Sequence, residues 1–125
     1  MIYIMKKNLN PFIILRESYN SSLYDYFQKS IYPKIKNTST QVARQMFLKK
    51  YPNFKITGMD DSYGFDIEYV DPESKTYRAY VEGVIDYKYR DEDDGSMWDD
   101  GMYYHVIVFF NLNGWYKLAR IYLGS

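Results

Sequence analysis

FDIEYVDPESKTYRAYVEGVIDYKYR, residues 65–90, decides the fold. Apolar and polar residues alternate on both sides of Asp71-Pro72-Glu73-Ser74-Lys75, which is the period-two signature of half-buried strands around turn-forming residues. If those five residues form the loop, Tyr69 faces Tyr77, Ile67 faces Ala79 and Phe65 faces Val81, and Glu68 lands opposite Arg78 as an opposite-charge pair. A four-residue loop would misalign the apolar set. The alternation then runs to Arg90, with Tyr77, Ala79, Val81, Ile85, Tyr87 and Tyr89 on one side and Arg78, Glu82, Asp86, Lys88 and Arg90 on the other. Gly83 interrupts it, which predicts a bulge or a bend in a curved sheet.

Downstream, Asn113-Gly114 is a strong two-residue hairpin signal joining Met102–Leu112 to Trp115–Leu123. A two-residue turn sets Phe110 against Lys117, Val108 against Ala119, Val106 against Ile121 and Tyr104 against Leu123 on a core face, with Lys117 near its rim. The reverse face pairs Asn111 with Tyr116, Phe109 with Leu118, Ile107 with Arg120 and His105 with Tyr122. Upstream, Phe54–Met59 and Tyr63–Val70 read as two further strands.

Before Pro52 the period changes to that of a helix. Leu23, Phe27 and Ile31 recur every four residues within Ser18–Ile31, with Pro33 as a stop. A second helix is predicted from an N-cap at Ser39 or Thr40, with Val42, Ala43, Met46, Phe47 and Lys50 on one stripe, ending at Tyr51-Pro52. The expectation is a single α+β domain over residues 1–125. Its basic helical part (1–52) packs on one face of a curved, four- to five-stranded antiparallel meander sheet (53–125).

The formal net charge of zero conceals a division. Residues 1–57 carry ten Lys/Arg against Glu17 and Asp25, and residues 58–125 carry six bases against fourteen acids, so the halves stand at +8 and −8. Such a field bears on what the protein meets rather than on how it folds. The absence of Cys excludes disulfides, thiolate metal sites and Cys nucleophiles, and the single histidine excludes a two-His zinc site within one chain. Pro11–Leu15 behind Lys6 and Lys7 is similar to a signal peptide but too short, and it runs into Arg16-Glu17 without a small-residue cleavage site. The segment is read as retained, with Met5 a second candidate start, no stretch long enough to cross a membrane, and a cytoplasmic location. Sixteen Tyr, with abundant Lys, Asn, Ile and Asp, point to an AT-rich coding sequence of the kind found in low-GC bacteria, their phages and mobile elements.

A helix ahead of an antiparallel meander that closes with an apolar strand, a polar turn and Gly-Trp-Tyr-Lys-Leu-Ala-Arg-Ile (Gly114–Ile121) resembles the cystatin-like and NTF2-like folds over residues 40–125. That resemblance implies a fold shared by enzymes, ligand-binding proteins, secretion accessories and immunity proteins, and it carries over no catalytic residue.

Two constellations are candidate sites. Asp91, Glu92, Asp93, Asp94, Met97, Trp98, Asp99 and Asp100 lie in a stretch that joins the third strand to the last hairpin. Its spacing fails the EF-hand pattern, so no calcium or other metal is expected there. It reads either as a solvated loop or as an acidic contact surface with Met97 and Trp98 as apolar anchors for a basic protein surface. Tyr103, His105, Arg120 and Tyr122 form the alternative, a pocket for a small anionic ligand or acid/base work. The expected function is a non-enzymatic protein-binding module, an inhibitor or accessory factor from a phage or mobile element, with no cofactor and with homodimerisation through the tyrosine-rich sheet face open. The alternatives are a small-ligand pocket protein or enzyme, and nucleic-acid binding through Lys34, Lys36, Arg44, Lys49 and Lys50.

Overall fold

The computed structural model describes residues 22–124, with the side chains of residues 62–64 excepted. The apolar patch at Pro11–Leu15 and the first turn expected at Ser18 lie outside the described residues. One helix, α1, runs from residue 22 to residue 50 and leads into four strands: β1 (Lys55–Asp71), β2 (Thr76–Arg90), β3 (Met97–Phe110) and β4 (Tyr116–Leu123). The strands form one antiparallel sheet in the order β1-β2-β3-β4, so the α+β class with a meander sheet holds. No described helix is long and apolar enough to cross a membrane.

The expected pair of helices is a single helix. Pro33 does not stop it, because the turn before the proline, Phe27–Ile31, is π-helical and the Tyr32 N–H reaches back five residues to the Phe27 carbonyl. The wider turn relieves the clash a proline ring would make with the carbonyl four residues back, and the missing N–H falls where the ladder is already broken. Nor are Ser39 and Thr40 caps. They sit inside the helix and donate their hydroxyls to the carbonyls of Ile35 (2.8 Å) and Lys36 (2.9 Å), a local satisfaction that lets polar residues ride within a helix. Leu23, Phe27, Ile31, Ile35, Ser39, Ala43 and Phe47 are buried at strict four-residue spacing. On a 3.6-residue helix that spacing advances by about 40° per step, so the buried stripe winds along α1 over the sheet it covers. Tyr51, φ −130° and ψ 71°, ends the helix as the residue before Pro52 must.

The first hairpin has the register expected from its five-residue loop: Tyr69 pairs with Tyr77, Ile67 with Ala79, Phe65 with Val81 and Glu68 with Arg78. The two expected upstream strands are one strand, β1, whose pairing slips between Asp60 and Gly64. Asp60 faces Val84 and Gly64 faces Glu82, so residues 61–63 together oppose Gly83. The irregularity predicted at Gly83 is therefore on its neighbour. Gly83 itself is required by the other neighbour, Tyr104, whose ring occupies the space where a Cβ at position 83 would stand.

At the last turn the structure corrects the expected register. Phe110 pairs with Tyr116 and Val108 with Leu118, so the loop is Leu112-Asn113-Gly114 rather than Asn113-Gly114 alone. The Asn111 side chain explains the extra residue, since its Oδ1 accepts the N–H groups of Asn113 (2.9 Å) and Trp115 (3.1 Å), and Gly114 supplies the positive φ, +94°, that a three-residue hairpin loop needs. A slip at Ala119 then restores the predicted pairs from Ile107–Arg120 to Tyr104–Leu123. In consequence Leu118 packs against the core, whereas Lys117, expected near the core rim, stands opposite Phe109 on the other face.

The core lies between α1 and one face of the sheet. Phe27 meets Phe110 at 5.1 Å between ring centroids, and Phe47 meets Tyr87 at 5.0 Å, so both ends of the helix are seated. Tyr104 is only 1% exposed and hemmed in by this core, so its ring has nowhere to step aside. Gly83→Ala is expected to lower unfolding stability in urea by about 1–3 kcal/mol through overpacking. The same change should cost much less in a Tyr104→Leu background, and equal costs in both backgrounds would separate Gly83 from Tyr104.

Candidate functional sites

The acidic stretch is built differently from the long loop expected of it. Only Asp91–Ser96 is a turn, and Met97–Gly101 are strand residues, because Arg90 pairs with Met97, Tyr89 with Trp98, Lys88 with Asp99 and Tyr87 with Asp100. The turn is closed by Asp91 N–H to Ser96 O (2.8 Å) and Gly95 N–H to Asp91 O (2.9 Å), and Arg90 Nη1 donates to the Gly95 carbonyl at 2.7 Å. Two of its carboxylates are structural. Asp91 Oδ1 accepts the Asp93 N–H at 2.7 Å, and Asp94 Oδ1 accepts both the Ser96 N–H (2.9 Å) and the Ser96 hydroxyl (2.6 Å). The Ser96 hydroxyl, and after it the Ser96 N–H, holds the Asp94 carboxyl below the usual carboxylate range. Glu92 and Asp93 project into solvent.

Strand alternation then divides the remaining residues. Trp98 and Asp100 lie on the helix side, beside the aromatic set Phe54, Tyr87 and Tyr89, in which Phe54 and Tyr87 stack at 5.3 Å. Met97 and Asp99 lie on the opposite side, where Asp99 reaches Lys88 at 3.9 Å, an exposed pair of small energetic weight. Met97 and Trp98 are 53% and 52% exposed. All eight sequence-selected residues therefore sit at one end of the β2–β3 hairpin.

The alternative set also comes together, on the sheet face away from α1. His105 stacks on Tyr122 at 4.7 Å, the Arg120 guanidinium lies 4.6 Å over the same tyrosine ring, and Tyr103 flanks His105 at 6.5 Å. His105 Nε2 donates its N–H to the Gly124 carbonyl at 2.6 Å, and Nδ1 faces the Glu82 carboxylate at 4.0 Å. Gly124 N–H in turn donates to the Tyr103 carbonyl at 2.9 Å. This histidine latches the end of β4 to β3. Replacing it with Ala should speed amide exchange at Gly124 and Leu123 and lower stability by about 1 kcal/mol; unchanged exchange would mean the latch carries no weight.

A third cluster was not singled out by the sequence. Asp61, in the slipped segment of β1, accepts the Tyr32 hydroxyl at 2.7 Å and approaches Lys36 Nζ at 3.4 Å. Among the described residues it is the ion pair that joins the basic helix to the acidic sheet. The available signal was Asp60-Asp61-Ser62 breaking the strand pattern between two apolar runs. Two turns earlier in α1, the Tyr24 hydroxyl donates to Asp66 Oδ1 at 3.0 Å. Among the described residues no three His, Asp or Glu side chains converge as a metal-binding group. Lys34 of α1 lies over the ring of Tyr116 on β4 at 5.8 Å, and Lys50 lies over Tyr51 at 5.6 Å.

These contacts give a pH dependence. Burial, and then the Asp66 charge, pushes the Tyr24 hydroxyl up from 10.0 to about 12, and burial with the Asp61 hydrogen bond raises Tyr32 as well. A folded-state value above the unfolded one means the unfolded chain loses its proton first. The stabilisation is therefore complete below pH 10 and is lost as pH rises toward 12. Urea denaturation at pH 9 to 11.5 should show falling stability, with a shallower fall for Tyr24→Phe and Tyr32→Phe; identical slopes for all three proteins would refute the assignment.

No protein-family model matches the chain, and no curated protein or solved structure matches it either.

Proposed function

We propose that the chain is a non-enzymatic binding module that engages another protein through the end of its β2–β3 hairpin. The observation that carries this reading is the exposure of Met97 and Trp98 on the last rungs of a fully paired ladder, beside the solvent-facing carboxylates of Glu92 and Asp93. A tryptophan held on a paired strand needs little further ordering on binding, and buried aromatic anchors dominate interface energies. Flanking carboxylates favour a target with a basic surface and speed its encounter. The turn supports the same view, because Asp91, Asp94 and Arg90 brace it and leave Glu92 and Asp93 outward. A helix followed by a four-stranded meander is also the order of elements that a cystatin-like reading calls for, within which an inhibitor or accessory role is at home.

The test is capture of partners from native lysate on the tagged protein and on a Met97→Ser/Trp98→Ala variant, at low and high salt and with nuclease. A stoichiometric protein that survives nuclease, weakens with salt and is lost from the variant is the expected result. Both positions are exposed, so the variant should keep its unfolding stability within about 0.5 kcal/mol. Equal capture by the variant would overturn the proposal. Recovery of nuclease-sensitive nucleic acid would move the site to Arg44, Lys49 and Lys50 on α1.

A further inference from the structure

The sheet face away from α1 carries an ordered charge gradient. The registers place Glu68, Arg78, Phe109 and Lys117 in one row across the four strands, and Asp66, Tyr80, Ile107 and Arg120 in the next. Each row begins with a carboxylate on β1 and ends with a cation on β4; Phe109, Tyr80 and Ile107 lie between, Arg78 stands beside Glu68 in the first row, and Asp66 in the second also accepts the Tyr24 hydroxyl from α1 at 3.0 Å. Arg78 is held by Glu68 within its own row. Among the described residues, Lys117 and Arg120 reach no carboxylate, and both are exposed. Ile107, Phe109 and Tyr80 between them are only partly buried.

We propose that this face pairs with the same face of a second copy of the chain, about a two-fold axis parallel to the strands. The charges choose this axis. A two-fold axis running along the strands reverses the strand order of the facing sheet but keeps the rows, so Lys117 of each copy lies over the partner's Glu68 and Arg120 lies over the partner's Asp66. An in-plane axis across the strands would set β4 over β4 and bring Lys117 and Arg120 against their own images. Face-to-face sheets settle about 30° from alignment, which shifts each contact by no more than a neighbouring row. Removing Tyr80, Ile107 and Phe109 from water supplies the drive, and the edge charges fix the arrangement. The interface is isologous, so each charge contact is made twice.

The test uses complementary charge reversals measured by analytical ultracentrifugation. Wild type is expected to be a dimer. Lys117→Glu/Arg120→Glu, which makes both edges acidic, and Asp66→Lys/Glu68→Lys, which makes both edges basic, should each weaken the dimer by at least about tenfold. A 1:1 mixture of the two variants should restore dimers, because each acidic β4 edge then meets a basic β1 edge and each basic β4 edge an acidic one. Rescue by mixing requires that both variants are folded. Ile107→Glu, made on the otherwise wild-type chain, should also give monomers with an intact circular dichroism spectrum. A monomeric wild type, dimers that persist through Ile107→Glu, or failure of the mixture to recover dimers while both variants remain folded would each overturn the proposal.

Discussion

The contact between the Tyr104 ring and the backbone of Gly83 organises the middle of this protein. A side chain at position 83 would collide with the ring, so β2 must carry glycine there if β3 is to place a large aromatic beneath the helix. Where β2 lacks a side chain, β1 runs past it with residues 61–63 opposite one residue, and that slip turns Asp61 toward α1. Asp61 then takes the Tyr32 hydroxyl and the Lys36 ammonium from the first turns after the π-helical segment. A glycine, a strand slip and a widened helical turn thus meet at one level of the structure. Bulges and π turns each cost regular hydrogen bonding and persist where the surroundings determine them.

What was legible in the sequence was whatever local periodicity and turn chemistry determine together. The β1–β2 register follows from Asp71–Lys75 because a one-residue slip would carry Phe65, Ile67, Tyr77 and Ala79 to the wrong face. The bounds of β2 were legible for the same reason. Pro33 misled because proline stops a regular helix, and a π turn is written in no single residue type. Asn113-Gly114 misled because the short-range signal is decided by a competitor two residues upstream, the Asn111 carboxamide, which captures two backbone N–H groups. The acidic run misled in length because Met97 to Gly101 lack strand-forming residues apart from Trp98, and their pairing is imposed by β2. Both candidate sites were legible as groups, since strand register alone brings His105, Arg120 and Tyr122 together; the Asp61 cluster was not, since it depends on where β1 slips.

The division of charge between the halves acquires a spatial meaning in the fold. α1 turns its apolar stripe to the sheet and leaves most of its bases outward, whereas the acids are distributed over sheet edges and the β2–β3 turn. Only Lys36 and Asp61 join the two halves as an ion pair among the described residues. The helix and sheet are therefore held by burial of aromatic and aliphatic surface, as at Phe27, Phe47, Tyr87 and Phe110, and not by attraction between +8 and −8. Charges left unused within the fold remain available to orient partners, and their effect outside it extends about 8 Å at physiological salt.

The two proposed surfaces constrain each other. A two-fold axis along the strands keeps the direction of every strand, so it sets both β2–β3 turns at the same end of the dimer. Stacked sheets lie about 10 Å apart, so the two sets of exposed carboxylates would stand slightly beyond a Debye length from each other, and their repulsion is largely screened. Trp98 lies on the helix side of each sheet and stays outside such an interface, whereas Met97 lies on the side that faces the partner copy. Pairing would thus leave two tryptophans pointing outward from one end of the molecule. A target with two basic surfaces at that spacing would be held by both, and the second contact would form at the high effective concentration set by the first.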